Sequence, residues 1–114
     1  SSGPLEALSR YPDVFREALV AGNRMCMCSF MAAEYDELPD LVRAEVQTFA
    51  DVNVAWLATT LETAAIVAPG GGESRGRAIY AAIAGAQLVA RGRSDVQLYD
   101  SLIAGYRDAG LLPA

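Results

Sequence analysis

The longest uninterrupted amphipathic pattern in the chain covers residues 39–68, which contain no glycine and no proline after the first position. Apolar residues recur there at steps of three and four, the spacing of one face of an α-helix. Two polar residues, Asn53 and Thr60, fall within this apolar stripe. As a single helix the segment would be about 45 Å long, at roughly 1.5 Å per residue. We therefore predict a central helix against which the other segments pack.

Four other segments carry the same helical spacing, so the sequence predicts five helices and an all-α fold. They are residues 12–21, 25–37, 74–91 and 94–109. Residues 4–10 are short and weakly amphipathic. We expect Tyr11-Pro12 to separate them from the next helix, because the residue before a proline is pushed out of the helical region. No alternating strand pattern and no internal repeat competes with this interpretation.

The ends of these helices carry recognisable signals. Gly22 and Gly110 each follow an apolar stripe and are predicted to be left-handed caps that stop a helix. Ser74 and Ser94 are predicted N-caps of the last two helices, because a serine side chain can accept a hydrogen bond from the first turn. Pro39 suits the first position of the central helix, where its missing N–H group would have no partner in any case.

Residues 74–91 are apolar on almost every side, which is more surface than one small domain can cover. One stripe on this helix is expected to face the core of its own chain, and consists of Ile79, Ile83, Ala86 and Ala90. A second stripe then needs a partner, and the alternative is that the last helix of the same chain covers it. We predict a two-fold homodimer in which residues 74–91 and 94–109 of two copies form a four-helix bundle. The predicted interface residues are Tyr80, Ala84, Gln87, Leu88, Arg91, Tyr99, Ile103 and Tyr106.

All three methionines and both cysteines fall within residues 25–31, and two interpretations of this segment stay open. Methionine and free cysteine can fill an irregular core, or they can form the wall of a pocket that accepts apolar ligands. In the second interpretation this segment and the central helix line one hydrophobic pocket that contains a few polar groups. The predicted ligand-binding residues are Met27, Phe30, Met31, Asn53, Trp56 and Thr60.

The composition narrows the classes of function. The chain has 114 residues and a net charge of −5, with neither lysine nor histidine, which argues against a nucleic-acid surface of its own. Cys26 and Cys28 would point about 200° apart on a helix, so they cannot easily bind one ion together. Without histidine or further cysteines, a zinc site also has too few ligands. Without histidine there is no ordinary serine–histidine or cysteine–histidine couple. We therefore predict no cofactor, no bound metal and no enzymatic activity, with an enzyme that uses Cys26 or Cys28 as a distant alternative.

The remaining sequence features concern location and chain organisation. No segment reaches the roughly 18 apolar residues of a membrane span, and no signal peptide is recognisable. We therefore expect a cytoplasmic protein without membrane contact. Residues 1–3 resemble the remnant of an expression tag, and residues 4–114 are expected to form one ligand-binding and dimerisation domain.

Several short motifs, taken in order, resemble the C-terminal regulatory domain of the TetR family of transcriptional regulators. The likeness spans roughly residues 14 to 91. Its parts are RMCMC at 24–28, MAAEY at 31–35, Leu38-Pro39, Val42-Arg43, Phe49, Asn53, Trp56-Leu57 and GAQLVAR at 85–91.

This resemblance implies an all-α bacterial domain whose last two helices pair across a dimer and whose earlier helices enclose a pocket for a small apolar effector. In such regulators, commonly repressors, a separate N-terminal helix-turn-helix domain binds DNA, and effector binding alters its hold on the operator. Because residues 1–114 include no basic segment of that kind, we expect this domain to be absent from the chain and DNA to be reached only through it. The alternative is a free-standing helical dimer that binds a small hydrophobic ligand or a protein partner, without a role in transcription.

Overall fold

Four α-helices make up the fold in residues 3–24 and 34–113, the parts of the chain that the computed structural model describes. They are α1 (Pro4–Val20), α2 (Asp40–Thr63), α3 (Gly72–Gly92) and α4 (Val96–Asp108), with a 3-10 turn at Tyr35–Glu37. No strand occurs in these ranges, so the predicted all-α class is confirmed. None of the helices described has both the length and the apolar character needed to cross a membrane.

Each of the four helices contributes buried side chains to one core. The most extensive packing is between α2 and α3, while α1 contacts α2, α3 and α4, and α4 packs on α3. The stripe of α3 that was predicted to face the chain's own core is buried, and consists of Ile79, Ile83, Ala86 and Ala90. Its partners in the core are Leu8, Phe15 and Leu19 of α1, Leu57 and Leu61 of α2, Tyr99 and Ile103 of α4, and Leu112 beyond α4.

The sequence predicted five helices, whereas the described residues form four. The predicted helix at 25–37 lies mostly outside the described residues, and its last part, Tyr35–Glu37, is a 3-10 turn. The predicted break at Tyr11-Pro12 was wrong, since α1 continues through Pro12 as one helix of 17 residues.

Side chains of α4 support α1 where the proline interrupts its backbone ladder. A proline inside a helix has no N–H group to donate to the carbonyl four residues earlier, and its ring crowds that carbonyl. The Tyr99 hydroxyl donates to the Pro12 carbonyl at 2.6 Å, and the Arg107 guanidinium donates to the Ser9 carbonyl at 3.0 Å. These bonds from α4, together with the burial of Tyr11 and Pro12, stabilise α1 around the proline.

A charged pair also joins α1 to α4. The guanidinium of Arg16 donates two hydrogen bonds to the carboxylate of Asp100, from Nε at 2.7 Å and from Nη2 at 3.0 Å. These hydrogen bonds hold the pKa of Asp100 below its usual value. Both side chains are close to half exposed, so solvent screening limits the contribution of the pair to at most ~1 kcal/mol.

Helix α2 ends at Thr63, five residues before the predicted end at 68. Its last carbonyls are satisfied by the hydrogen bonds of a Schellman motif, from Ile66 N–H to Leu61 and from Ala65 N–H to Glu62. Ala65 occupies the left-handed position of this motif, with φ of 57°, where glycine is usual. Because Ile66 packs against the core, tertiary contact stabilises a turn that the local sequence does not signal.

The predicted left-handed caps and the predicted N-caps had different outcomes. Gly22 and Gly110 follow α1 and α4 with φ of 108° and 83°, as predicted. Ser94 is not the N-cap of α4, because the carboxylate of Asp95 accepts the hydrogen bond from Leu98 N–H. Ser74 lies inside α3, which begins two residues earlier at Gly72.

Replacing Tyr99 by phenylalanine is expected to lower the free energy of unfolding by about 1 kcal/mol at neutral pH, because the bond to Pro12 is lost. Burial raises the pKa of Tyr99 well above its ordinary value of 10.0. A tyrosine with a raised folded-state pKa contributes stability that is present below the unfolded-state pKa and is lost as the pH rises above it. The stability advantage of the wild type over Tyr99→Phe should therefore shrink above pH 10.

Urea unfolding between pH 7 and pH 11 measures this difference. Tyr35→Phe is the control, since its hydroxyl accepts a hydrogen bond from Gln47 at an exposed position, and this variant should follow the wild-type profile. Parallel profiles for the wild type and Tyr99→Phe above pH 10 would contradict the expectation.

Candidate functional site

A groove of about 370 Å³ opens between α1 and α2 and is the best candidate for a ligand site in the described residues. Its volume lies within the roughly 300–1,000 Å³ that small-molecule sites occupy. Most of its lining is aliphatic or aromatic, as expected for such a site. The residues that line this α1–α2 groove are Ala7, Arg10, Tyr11 and Val14 of α1, and Val52, Asn53 and Trp56 of α2.

Two aromatic rings form a stacked pair in the α1–α2 groove. The rings of Tyr11 and Trp56 lie 5.7 Å apart between centroids with an angle of 20° between their planes. Trp56 is nevertheless 41% exposed, which is unusual for so large an apolar side chain. The rim is also apolar, because Val14 and Val52 are exposed beside the rings. A ligand that covers these surfaces would remove apolar area from water.

Asn53 links the two walls of the groove through hydrogen bonds. Its Oδ1 accepts a hydrogen bond from the Tyr11 hydroxyl at 2.7 Å, and its Nδ2 donates to the Phe49 carbonyl at 2.9 Å. The second bond is local to α2 and fixes which end of the amide faces Tyr11. The polar residue predicted within the apolar stripe of the central helix therefore binds α1 directly.

Thr60 lies in a neighbouring cavity rather than in the α1–α2 groove. This second cavity, of about 240 Å³, is lined by Trp56 and by residues at the start of α1 and the end of α2. Thr60 is buried, and its hydroxyl donates to the Trp56 carbonyl at 2.7 Å. Trp56 and Ala7 line both cavities, and the Thr60 hydroxyl bonds to the helix turn that carries Trp56.

The described lining of the α1–α2 groove includes a cationic side chain that is paired with a carboxylate outside the lining. Among the described residues that line it, the charged one is Arg10, and no carboxylate is present. Arg10 forms an ion pair at 2.7 Å with Glu6, one helical turn earlier on α1. Both members of this pair are substantially exposed, so the pair is weak and the guanidinium can exchange partners.

The six residues predicted to bind a ligand divide into two groups. Asn53 and Trp56 line the α1–α2 groove, and Thr60 lies next to it. The predicted contributions of Met27, Phe30 and Met31 lie outside the described residues. Sequence reasoning missed the α1 side of the groove because it placed a helix break at Tyr11, although the spacing of Ala7, Tyr11 and Val14 is itself helical.

The residues predicted to form the dimer interface occupy different environments. Gln87, Tyr99 and Ile103 are buried inside their own chain. The Gln87 amide donates to the Phe15 carbonyl at 2.8 Å, so its predicted bond across a two-fold axis is replaced by a bond to α1. The half-buried residues are Tyr80, Ala84, Arg91 and Tyr106, while Leu88 is exposed.

A patch on α3 remains open to solvent, and we call it the open α3 face. It consists of Ala81, Gly85, Leu88 and Val89, which follow one another at helical spacing. Leu88 and Val89 are large apolar residues exposed side by side, and a side chain added at Gly85 would meet no atom within 4 Å. Val89 was not among the predicted interface residues.

Arg91 lies at the end of α3, beside the loop that follows α1. Its Nε atom is buried and has no hydrogen-bond partner within the described part of the chain. Asn23 Nδ2 donates to the Arg91 carbonyl and to the Ser94 hydroxyl, at 3.0 Å in each case. These bonds fasten the end of α1 to the α3–α4 turn.

Within residues 3–24 and 34–113, no group of three or more histidine, cysteine, aspartate or glutamate side chains lies close enough to hold a metal ion. Comparisons with protein-family models, with curated proteins and with solved structures found no match.

Proposed function

We propose that this chain is the effector-sensing and dimerisation domain of a TetR-family transcriptional regulator, with a binding role rather than a catalytic one. In this proposal a small apolar molecule binds in the α1–α2 groove and alters DNA binding by an N-terminal helix-turn-helix domain. The fold class agrees with the resemblance, and the assignment to transcription rests on the sequence motifs. Ligand binding has independent support from the groove.

The observation that carries the ligand-binding part is the exposed aromatic surface of Trp56. A stacked tryptophan and two exposed valines leave a contiguous apolar surface facing a concave space. Exposed apolar patches on soluble proteins commonly mark binding sites. Asn53 adds a fixed polar group beside this surface, which is the usual arrangement in a small-molecule site.

Trp56 also reports on the proposal, because it is the single tryptophan of the chain. Neutral lipophilic compounds are expected to shift its fluorescence emission and to raise the melting temperature, since a ligand that binds the folded state stabilises it. Unchanged emission and an unchanged melting temperature across a broad panel would overturn the proposed ligand site.

A matched pair of variants locates the response. Val52→Asp places a charge at the rim of the α1–α2 groove. It should raise the ligand dissociation constant measured by fluorescence about tenfold, since desolvating that charge opposes binding. Val20→Asp is the control, because Val20 is exposed to the same degree, 60% against 61%, but does not line the groove. Equal responses in the two variants would show that the ligand binds elsewhere.

We also propose that the open α3 face and α4 pair with a second copy. A two-fold contact brings the same patch of each copy together, so Leu88 and Val89 would be buried against their equivalents. The absence of a side chain at Gly85 would let the two helices approach closely.

Replacing Leu88 by glutamate is expected to raise the dimer dissociation constant at least tenfold, because a carboxylate would be buried without a partner. Sedimentation velocity at micromolar concentration measures the change. Leu41→Glu is the control, since Leu41 is an exposed leucine on α2 that does not belong to the open α3 face. A monomeric wild type would contradict the dimer, and a dimer unaffected by Leu88→Glu would contradict this interface.

The alternative function, a free-standing helical dimer, uses the same groove and the same face. The coding sequence upstream of residue 4 separates the two, since a basic helix-turn-helix of roughly fifty residues there would support the regulator. An anisotropy titration adds a second test. The chain alone is expected not to bind duplex DNA, because its net charge of −5 opposes phosphate contacts.

A further inference from the structure

The stacked rings in the α1–α2 groove favour a flat ligand. Trp56 stacks on Tyr11, lines the groove and is still 41% exposed. Aromatic faces pair best with other aromatic rings in offset-stacked or edge-to-face arrangements, which add to the free energy gained from apolar burial. A planar ring can therefore gain more from this surface than an aliphatic group of the same size.

The charge at the groove favours an anion over a cation. The chain as a whole has a net charge of −5, yet the described lining of the groove holds a guanidinium and no carboxylate. Arginine presents a planar fork of N–H donors that matches both oxygens of a carboxylate. Its partner, Glu6, is an exposed neighbour on the same helix that does not line the groove, and a ligand anion can replace it.

We propose that the largely apolar effector of the α1–α2 groove carries one charged group and is a planar aromatic carboxylate, whose ring stacks on Trp56 while its carboxylate pairs with Arg10 in place of Glu6. This inference rests on the proposed ligand-binding function of the groove. Arg10 lines the groove from α1 and Trp56 lines it from α2, so the cation and the indole ring border the same space. An aromatic carboxylate can contact both Arg10 and Trp56. A neutral aromatic molecule can contact only the Trp56 ring, and a cationic one is repelled by Arg10.

Three small probes separate the contributions of ring and charge. The full chain is titrated by calorimetry with 2-naphthoate, with 2-naphthalenemethanol, which has the same ring without charge, and with cyclohexanecarboxylate, which has the charge without a flat ring. We expect 2-naphthoate to bind about fivefold or more tightly than either of the others, which is the range of one exposed charge pair or one aromatic stack.

Arg10→Gln is expected to weaken binding of 2-naphthoate about fivefold and to leave binding of 2-naphthalenemethanol unchanged. The matched control is Arg77→Gln, because Arg77 forms the same kind of pair with Glu73 one turn earlier on α3 and is 70% exposed against 68% for Arg10. That control should bind all three probes as the wild type does. Circular dichroism of each variant verifies that the helices are retained.

The outcomes distinguish this inference from the function on which it rests. If Arg10→Gln binds 2-naphthoate as tightly as the wild type, or if the alcohol binds as tightly as the acid, the aromatic-carboxylate assignment is overturned while the groove remains a ligand site. If cyclohexanecarboxylate equals 2-naphthoate, the stacking on Trp56 is overturned. If none of the three binds, both the inference and the proposed ligand-binding function fail.

Discussion

Replacing Leu57 by alanine is expected to lower the free energy of unfolding by about 3 kcal/mol, within the range of 2–5 kcal/mol typical of buried leucines. Leu57 is 0% exposed and lies where α3 crosses α2. A Cβ atom at Gly76 of α3 would be 3.2 Å from the Leu57 Cβ, so α2 and α3 already pack closely here and have little room to move together and fill the space left by the leucine. The variant therefore retains most of its cavity.

Urea denaturation measures this effect, and the slope of the transition should stay unchanged while its midpoint falls. Leu41→Ala is the control on the same helix, because Leu41 is 83% exposed and its truncation should change stability by less than ~0.5 kcal/mol. Similar losses in both variants would mean that α2 does not present Leu57 to α3 in the way described.

Replacing Gly72 by alanine is expected to lower the free energy of unfolding by about 2–3 kcal/mol, because the added methyl group has no room. A Cβ atom at Gly72 would overlap the Ala58 carbonyl group of α2 and would lie 2.6 Å from Glu62 Oε2. The Glu62 carboxylate accepts hydrogen bonds from the backbone N–H groups of Gly70 and Gly72, at 3.2 Å each. Alanine would therefore push α3 away from α2 and disturb both bonds.

The same substitution at Gly105 of α4 should have the opposite sign. A Cβ atom there would meet nothing within 4 Å, and alanine is favoured over glycine in a helix by up to ~1 kcal/mol. Thermal and urea unfolding of the two variants together separate close packing from helix propensity. If Gly72→Ala is as stable as Gly105→Ala, the close contact between α2 and α3 is not present in solution.

Several features of the fold could be predicted because the responsible residues are local in sequence. The spacing of Ile79 and Ile83 marked the buried side of α3. Gly22 and Gly110 marked helix ends, because the left-handed conformation that follows a helix favours glycine. The early end of α2 was not predictable in this way. It depends on Ile66 reaching the core, which is a contact with distant residues.

The position of Gln87 shows a different limit. An amide on an apolar helix was expected to contact a second copy, yet its partner is the backbone carbonyl of Phe15. Every residue type offers a backbone carbonyl, so no sequence pattern identifies this acceptor. The same holds for Tyr99, whose hydroxyl bonds to the Pro12 carbonyl. For this reason sequence reasoning assigned both residues to a dimer interface and did not identify their contacts inside their own chain.

The candidate site was predicted in part for a related reason. Asn53 and Trp56 stood out as a polar residue and the single tryptophan on the central helix, and both line the α1–α2 groove. Tyr11 and Arg10 were not recognised, because a proline at position 12 normally ends a helix. The bonds that keep α1 intact come from α4, far along the chain, and could not be read from the residues around Pro12.

The dependence of α1 on α4 has a consequence for the order in which the chain assembles during translation. The bonds from Arg107 to Ser9, from Tyr99 to Pro12 and from Arg16 to Asp100 join residues that are 98, 87 and 84 positions apart. Contacts between such distant positions form late in folding, because a long loop must close first. Helix α1 is synthesised before residues 99–107, so until these follow, the part of the core that Tyr99 and Ile103 contribute beside Phe15 and Leu19 cannot form.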